Sequence, residues 1–156
     1  MSLKKKLAVV VGAMGIMASL AAPAQASATG YENQHSPEAC KSQSTSAFKF
    51  AIYFNSNYGG AHRNIGYSVW DFADESPGGS PQGGTHPLRY CPGGNGGGQG
   101  IKNNAASAKN KHSTYYAVVY YNSGYKGNAD WIGWKNSWSK LANTYNENAS
   151  FAWQSL

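Results

Sequence analysis

Charge is scarce in this chain: Asp, Glu, Lys and Arg together make up 13% of 156 residues. That share excludes a charge-rich disordered chain and a coiled coil. Cysteine is nearly absent, with Cys40 and Cys91 the whole complement, so a disulfide-dense scaffold is excluded. Helical periodicity is also missing after the first 28 residues, apart from one turn expected around Trp138 to Ala142. Aromatic rings are missing from the first 30 residues and abundant afterwards, with eleven Tyr, five Trp and five Phe, alongside nineteen Gly in the whole chain. Rings and glycines in that proportion suit a sheet protein with tight turns.

Residues 1–28 read as a secretory signal peptide. Lys4, Lys5 and Lys6 form a positive start and Leu7 to Ala22 an uncharged apolar run. Small residues then offer cleavage after Ala26 or Ala28. Sixteen apolar residues are short for a bilayer crossing. Removal of three of the thirteen basic residues leaves ten against seven acidic ones, a net charge of +3. The remaining cations are scattered, with Lys102, Lys109 and Lys111 the one cluster. Nucleic acid is therefore not an expected partner, nor is a membrane after cleavage, and a monomer is expected.

An even cysteine count in an exported chain predicts one Cys40–Cys91 disulfide, closing 52 residues and contributing about 4 kcal/mol in the chain-entropy picture. It would tie an N-terminal arm, 29–47, to a Gly-rich segment within a domain spanning 48–156.

An internal repeat is the most informative feature. Ala-Ile-Tyr-Phe-Asn-Ser-Asn-Tyr-Gly-Gly at 51–60 recurs as Val-Val-Tyr-Tyr-Asn-Ser-Gly-Tyr-Lys-Gly at 118–127. Each copy runs on into Ile-Gly, at Ile65 and Ile132, and closes on an Asn-rich element, Asn103 to Ser107 or Asn146 to Ser150. The starts are offset by 67 residues and the ends by 43, so the first copy carries 24 extra. A unit this small cannot bury its own core and must pack on its twin. Phe48, Phe50, Ile52 and Phe54 alternate as in a strand, and Tyr115 to Tyr121 is β-branched and aromatic. Gly60 and Gly127 are the natural positive-φ turn residues. The expected fold class is all-β: an antiparallel β-sandwich of two Greek keys in one domain.

Tyr53, Tyr58 and Gly60, and at the same spacing Tyr120, Tyr125 and Gly127, resemble the tyrosine corner of βγ-crystallin Greek keys. The resemblance covers about 48–153 and implies that Ser107 and Ser150 hydrogen-bond the folded hairpins. With the signal peptide and small size, the chain is similar to the secreted bacterial peptidase inhibitors typified by the Streptomyces metalloproteinase inhibitor. That likeness implies a non-enzymatic protein that binds an extracellular protease, a metalloprotease by preference, through an exposed loop. The typical inhibitor has two disulfides and this chain can have one, so its reactive bond does not transfer residue for residue.

The insertion, at about 74–100, is the expected partner site. It holds ten Gly between 78 and 100, around Thr85-His86-Pro87-Leu88-Arg89-Tyr90. Pro87 stiffens that stretch and Cys91 anchors it, which lowers the entropy lost on binding. Pro87, Leu88, Arg89 and Tyr90 are the predicted protease-binding residues.

No cofactor and no metal site are expected. Many βγ-crystallins bind calcium where Asn103-Asn104 and Asn146-Glu147 stand, but Ala108 and Phe151 replace the closing Ser in both copies. His35, His62, His86 and His112 lack ligand spacing and read as surface residues, and Asp71, Asp74 and Glu75 as a solvated loop. No nucleophile-elbow pattern occurs, and Asn148-Ala149-Ser150 is a formal glycosylation sequon. The alternative function is a secreted carbohydrate- or cell-surface-binding, antimicrobial or structural module without inhibitory activity. Its residues would be Trp131, Trp134 and Trp138, and their exposure decides whether a glycan can stack on them.

Overall fold

The structure, a computed structural model, describes residues 24–75 and 86–155. The expected signal peptide thus lies mostly outside the described residues, and the insertion's 76–85 lies outside them altogether.

Among the described residues, seven strands form two antiparallel sheets. Strands β1 (Phe50–Tyr53), β2 (His62–Ile65), β3 (Ser107–Asn110) and β6 (Asn136–Trp138) make one, in the order β2-β1-β3-β6. Strands β4 (Tyr116–Asn122), β5 (Lys126–Ile132) and β7 (Ser150–Gln154) make the other, in the order β5-β4-β7. Val69 adds a bridge to Phe151 on the free edge of β7.

The two units are interlocked. β6 belongs to the second repeat yet pairs with β3 of the first, Ala108 opposite Trp138. Val69 belongs to the first repeat yet bridges β7 of the second. Each unit lends its third segment to the other's sheet, so neither sheet is complete without both copies, as expected of repeats too small to fold alone.

Phe50, Ile52, Val119, Ile132 and Phe151 face inward and are fully buried between the sheets. Phe50 of the first sheet stacks on Phe151 of the second, ring centres 4.1 Å apart. All four residues of β1 are buried, its second face included. The N-terminal arm lies alongside: Asn64 Nδ2 on β2 donates to the carbonyls of Glu38 and Lys41 at 3.1 and 2.7 Å.

The arm begins with a helix that periodicity does not predict, α1 (Ala24–His35), which contains both expected cleavage positions. It has no apolar stripe and is held by its last carbonyls. The buried Arg63 donates Nε and Nη2 to Asn33 O at 3.2 and 2.5 Å, and Nη2 to Gln34 O at 2.8 Å. A guanidinium at a helix C-terminus meets the negative end of the peptide dipoles. Burial lowers the Arg63 pKa to about 10. The turn expected near Trp138 to Ala142 does not become a helix, because Trp138 ends β6 and Leu141 N–H donates to Ala106 O across the domain. Among the described residues no helix is long and apolar enough to cross a membrane.

Candidate functional site

The hairpins after β1 and β4 are built alike. Tyr53 and Tyr58 rings lie 5.7 Å apart, and Tyr120 and Tyr125 6.0 Å apart. Tyr58 and Tyr125 have φ of 60° and 61°, Gly60 and Gly127 of 71° and 79°. A Cβ on Gly60 would come 2.8 Å from Asn95 O, and one on Gly127 2.7 Å from Asn122 Nδ2. Ser107 Oγ accepts from Tyr58 N–H at 3.1 Å and donates to Asn55 O at 2.6 Å. Ser150 repeats this with Tyr125 N–H and Asn122 O, at 3.1 and 2.7 Å. These residues are scaffold.

The predicted binding loop is placed otherwise than expected. Leu88 and Tyr90 are core residues, fully or almost fully buried, and only Arg89 is exposed, with Pro87 half-buried. The segment is threaded into the sandwich: Leu88 N–H donates to Phe72 O, and Ile101 N–H to Leu88 O, both at 2.9 Å. Tyr90 OH donates to Asn104 O at 2.7 Å. An exposed apolar anchor from Leu88 or Tyr90 is therefore corrected. Their spacing of two puts both on the inner side of an extended segment, and burying them offsets the entropy of ordering the glycines around them. Cys40 and Cys91 form the disulfide, Cα atoms 5.5 Å apart.

The acidic group is not a solvated loop. Asp71 pairs with Lys102 at 2.9 Å, and Asp74 lies 3.3 Å from His86 Nδ1. Glu75 is only 7% exposed, accepts from Asn33 Nδ2 at 3.1 Å, and has its pKa pushed up to about 7 by burial. The sequon Asn148 is buried, accepting from the N–H groups of Asn104 and Ala105 and donating to Ile101 O.

The residues where a βγ-crystallin calcium would bind do not fit the ion. A polar pocket of about 340 Å³ is lined by Asn103, Asn122, Ser123, Asn146 and Glu147, but also by Lys102. The Lys102 ammonium bonds Ser123 Oγ and Asp71, both at 3.0 Å, so a positive group already takes the oxygens a cation needs. Phe151, at the closing position, is a core ring.

A different site emerges at the end of the sandwich where β1 and β4 begin. A cleft of about 500 Å³ is lined by Ala47, Phe48, Lys49, Gly66, Tyr67, His112, Tyr115 and Trp153. Trp153 forms the floor: its indole N–H donates to Gly66 O at 2.9 Å, and its ring meets Phe151 edge-on at 5.1 Å. His112 lies 5.1 Å from Trp153 and 4.7 Å from Tyr115. Tyr67 and Tyr115 are 41% and 43% exposed.

The second sheet carries another group of rings. Lys135 N–H donates to His112 O at 3.1 Å, joining the β5–β6 turn to the cleft loop. Tyr116, next to Tyr115, contacts Trp131 and Trp134 edge-on, at 6.0 and 5.2 Å. Those Trp are 47% and 46% exposed, whereas Trp138 packs against the core. Sequence reading found the Trp pair and missed Phe48, Tyr67, His112, Tyr115 and Trp153 as a group, because four separate stretches supply them. The one local signal was Asn110-Lys111-His112, an Asx turn in which His112 N–H donates to Asn110 Oδ1 at 2.8 Å.

No family profile and no curated protein sequence matches the chain. Among solved structures, a chain from work on the evolution of the eye-lens βγ-crystallin domain fold is 14% identical, with a TM-score of 0.48 over 70% of this chain and 87% of that one. A clostrillin double mutant in complex with nickel is 17% identical, with a TM-score of 0.44 over 69% of this chain and 98% of that one. By its own strand order the described chain is of the all-β class, a single antiparallel β-sandwich built from two interlocked Greek keys.

Proposed function

We propose that this protein is an exported, non-catalytic glycan-binding module that acts outside the cell as a monomer. The observation that carries the reading is the aromatic cleft of Phe48, Tyr67, His112, Tyr115 and Trp153, with a second group of rings at Tyr116, Trp131 and Trp134. Half-exposed rings on a soluble domain incur a hydration cost that a ligand relieves. The C–H face of a sugar ring matches an aromatic face, and the hydroxyl and ring N–H groups at the edge satisfy sugar oxygens. Export is supported by the Lys4 to Lys6, apolar and small-residue order, and by a disulfide, which belongs in an oxidising compartment.

Retention on a panel of cell-wall polysaccharides tests this. Replacing Tyr67 and Tyr115 together by Ala should weaken retention roughly 10-fold or more while leaving the fold intact, since buried aromatic contacts dominate recognition sites. Unchanged retention in that double variant would overturn the reading.

A second reading, inhibition of an extracellular protease, keeps one supporting observation. Arg89 is exposed on an extended segment bridged to Gly100 and next to the Cys91 disulfide, a fixed presentation of a basic side chain. If it holds, Arg89→Gly abolishes inhibition of a trypsin-like protease; a wild-type protein inert against trypsin-like enzymes and metalloproteases removes it.

A further inference from the structure

We infer that the aromatic cleft selects acidic glycans, sugars bearing a carboxylate or phosphate, because its lining offers hydrogen-bond donors and positive charge and holds no carboxylate. The inference rests on the glycan reading and narrows it.

The donors are specific. His112 Nδ1 accepts from the backbone N–H groups of Thr114 and Tyr115, both at 3.1 Å. Two donors aimed at Nδ1 leave the ring proton on Nε2, and this N–H has no partner among the described residues. Lys49 lines the cleft, and its ammonium makes no hydrogen bond or ion pair among the described residues. Lys111 stands beside it in the fold, its N–H donating to Lys49 O at 2.8 Å. Burial and then the Lys49 charge hold the Lys111 amine below the ordinary lysine range. The Lys111 ammonium donates to Gln43 O and stands outside the lining, so Lys49 is the cation that an anion in the cleft would meet, with the Lys111 charge adding to the local positive field.

No carboxylate lines the cleft, and five of the seven are engaged with other groups. Glu38 comes nearest to the lining through Ala47, whose N–H it accepts, and it is paired with Lys41. Asp71, Asp74 and Glu75 are held by Lys102, His86 and Asn33. Asp130 is buried, accepting from the N–H groups of Asn143 and Thr144. A neutral sugar donates as many hydrogen bonds as it accepts and is best met by carboxylate acceptors, which this cleft lacks. A quaternary ammonium, the other ligand of aromatic cages, is repelled by Lys49.

The test is calorimetric titration of the intact protein with oligosaccharides of galacturonate, glucuronate and mannuronate, with their methyl esters, with neutral hexose oligomers, and with a phosphate-bearing hexose oligomer. At least one acidic oligomer should bind about 10-fold or more tighter than its ester, the usual strength of charged over neutral hydrogen bonds. Raised salt should weaken the acid and leave the ester unchanged. Lys49→Gln should remove most of that preference, whereas Lys126→Gln, on β5, should not. Which arm binds tells carboxylate from phosphate; inorganic phosphate alone should not compete at equal concentration. Equal affinity for acid and ester overturns this inference and leaves the glycan reading in place. Binding of neutral oligomers only does the same. No binding in any arm overturns both.

Discussion

Replacing Glu75 by Gln should make the protein more stable at neutral and alkaline pH and remove much of the pH dependence of folding. The carboxyl is almost fully enclosed, with Asn33 Nδ2 at 3.1 Å its one hydrogen-bond donor among the described residues. Burial raises its pKa from 4.5 to about 7, Asn33 opposes the rise, and the negative charge of Asp74 adds to it. A folded value above the unfolded one means that the folded state binds the proton more tightly. Its stabilisation is complete below pH 4.5 and is lost progressively as pH climbs through about 7. That rise corresponds to at most about 3 kcal/mol at 25 °C. Gln keeps an acceptor for Asn33 and carries no charge to desolvate. Urea unfolding of wild type and variant from pH 5 to 8 reads the effect: the two should converge at the acid end and separate steadily above it, the variant being the more stable. Gln34 Nε2 also bonds Glu75 O and His86 O, at 3.2 and 2.8 Å, so the end of α1 should loosen as Glu75 ionises. Hydrogen exchange at residues 33 and 34 would register it. Parallel stability curves would refute the reasoning.

Ser107→Ala and Ser150→Ala should each cost about 1–3 kcal/mol, and by similar amounts, because each leaves one N–H and one carbonyl of a hairpin unpaired; thermal midpoints will show a matched pair, and one silent variant would break the equivalence. Removing the disulfide with Cys40→Ala and Cys91→Ala should cost about 4 kcal/mol for a 52-residue loop, read by denaturant midpoint, with an effect under about 1 kcal/mol contradicting the entropic account. Millimolar calcium should leave the wild-type thermal midpoint unchanged, since the Lys102 ammonium already holds Asp71 and Ser123; a clear rise would refute the fit argument.

What the sequence by itself determined is local in its chemistry. Tyr53, Tyr58 and Gly60, with their twins at Tyr120, Tyr125 and Gly127, specify a hairpin in which Gly60 and Gly127 sit at positive φ, and a turn of this kind depends on residues within a few positions of each other. The recurrence of that turn at an offset of 67 implied two mutually dependent units, and alternation marked Phe50 and Ile52 as core. Only the tertiary structure decided the rest. The exchange of β6 and Val69 between the sheets joins residues that no local pattern connects. Leu88 and Tyr90 read as an exposed loop because glycines flank them, and burial depends on what lies opposite, which is Phe72, Ile101 and Asn104 from other stretches. Trp131 and Trp138 have the same chemistry, yet one faces outward and the other packs on the core, because Trp131 pairs opposite Val118, outside the main core, while Trp138 pairs opposite the core residue Ala108. The cleft was invisible for the same reason. Phe48, Tyr67, His112 and Trp153 become neighbours only when the strand ends of both sheets meet, and surface concavity is a property of that meeting rather than of any one segment.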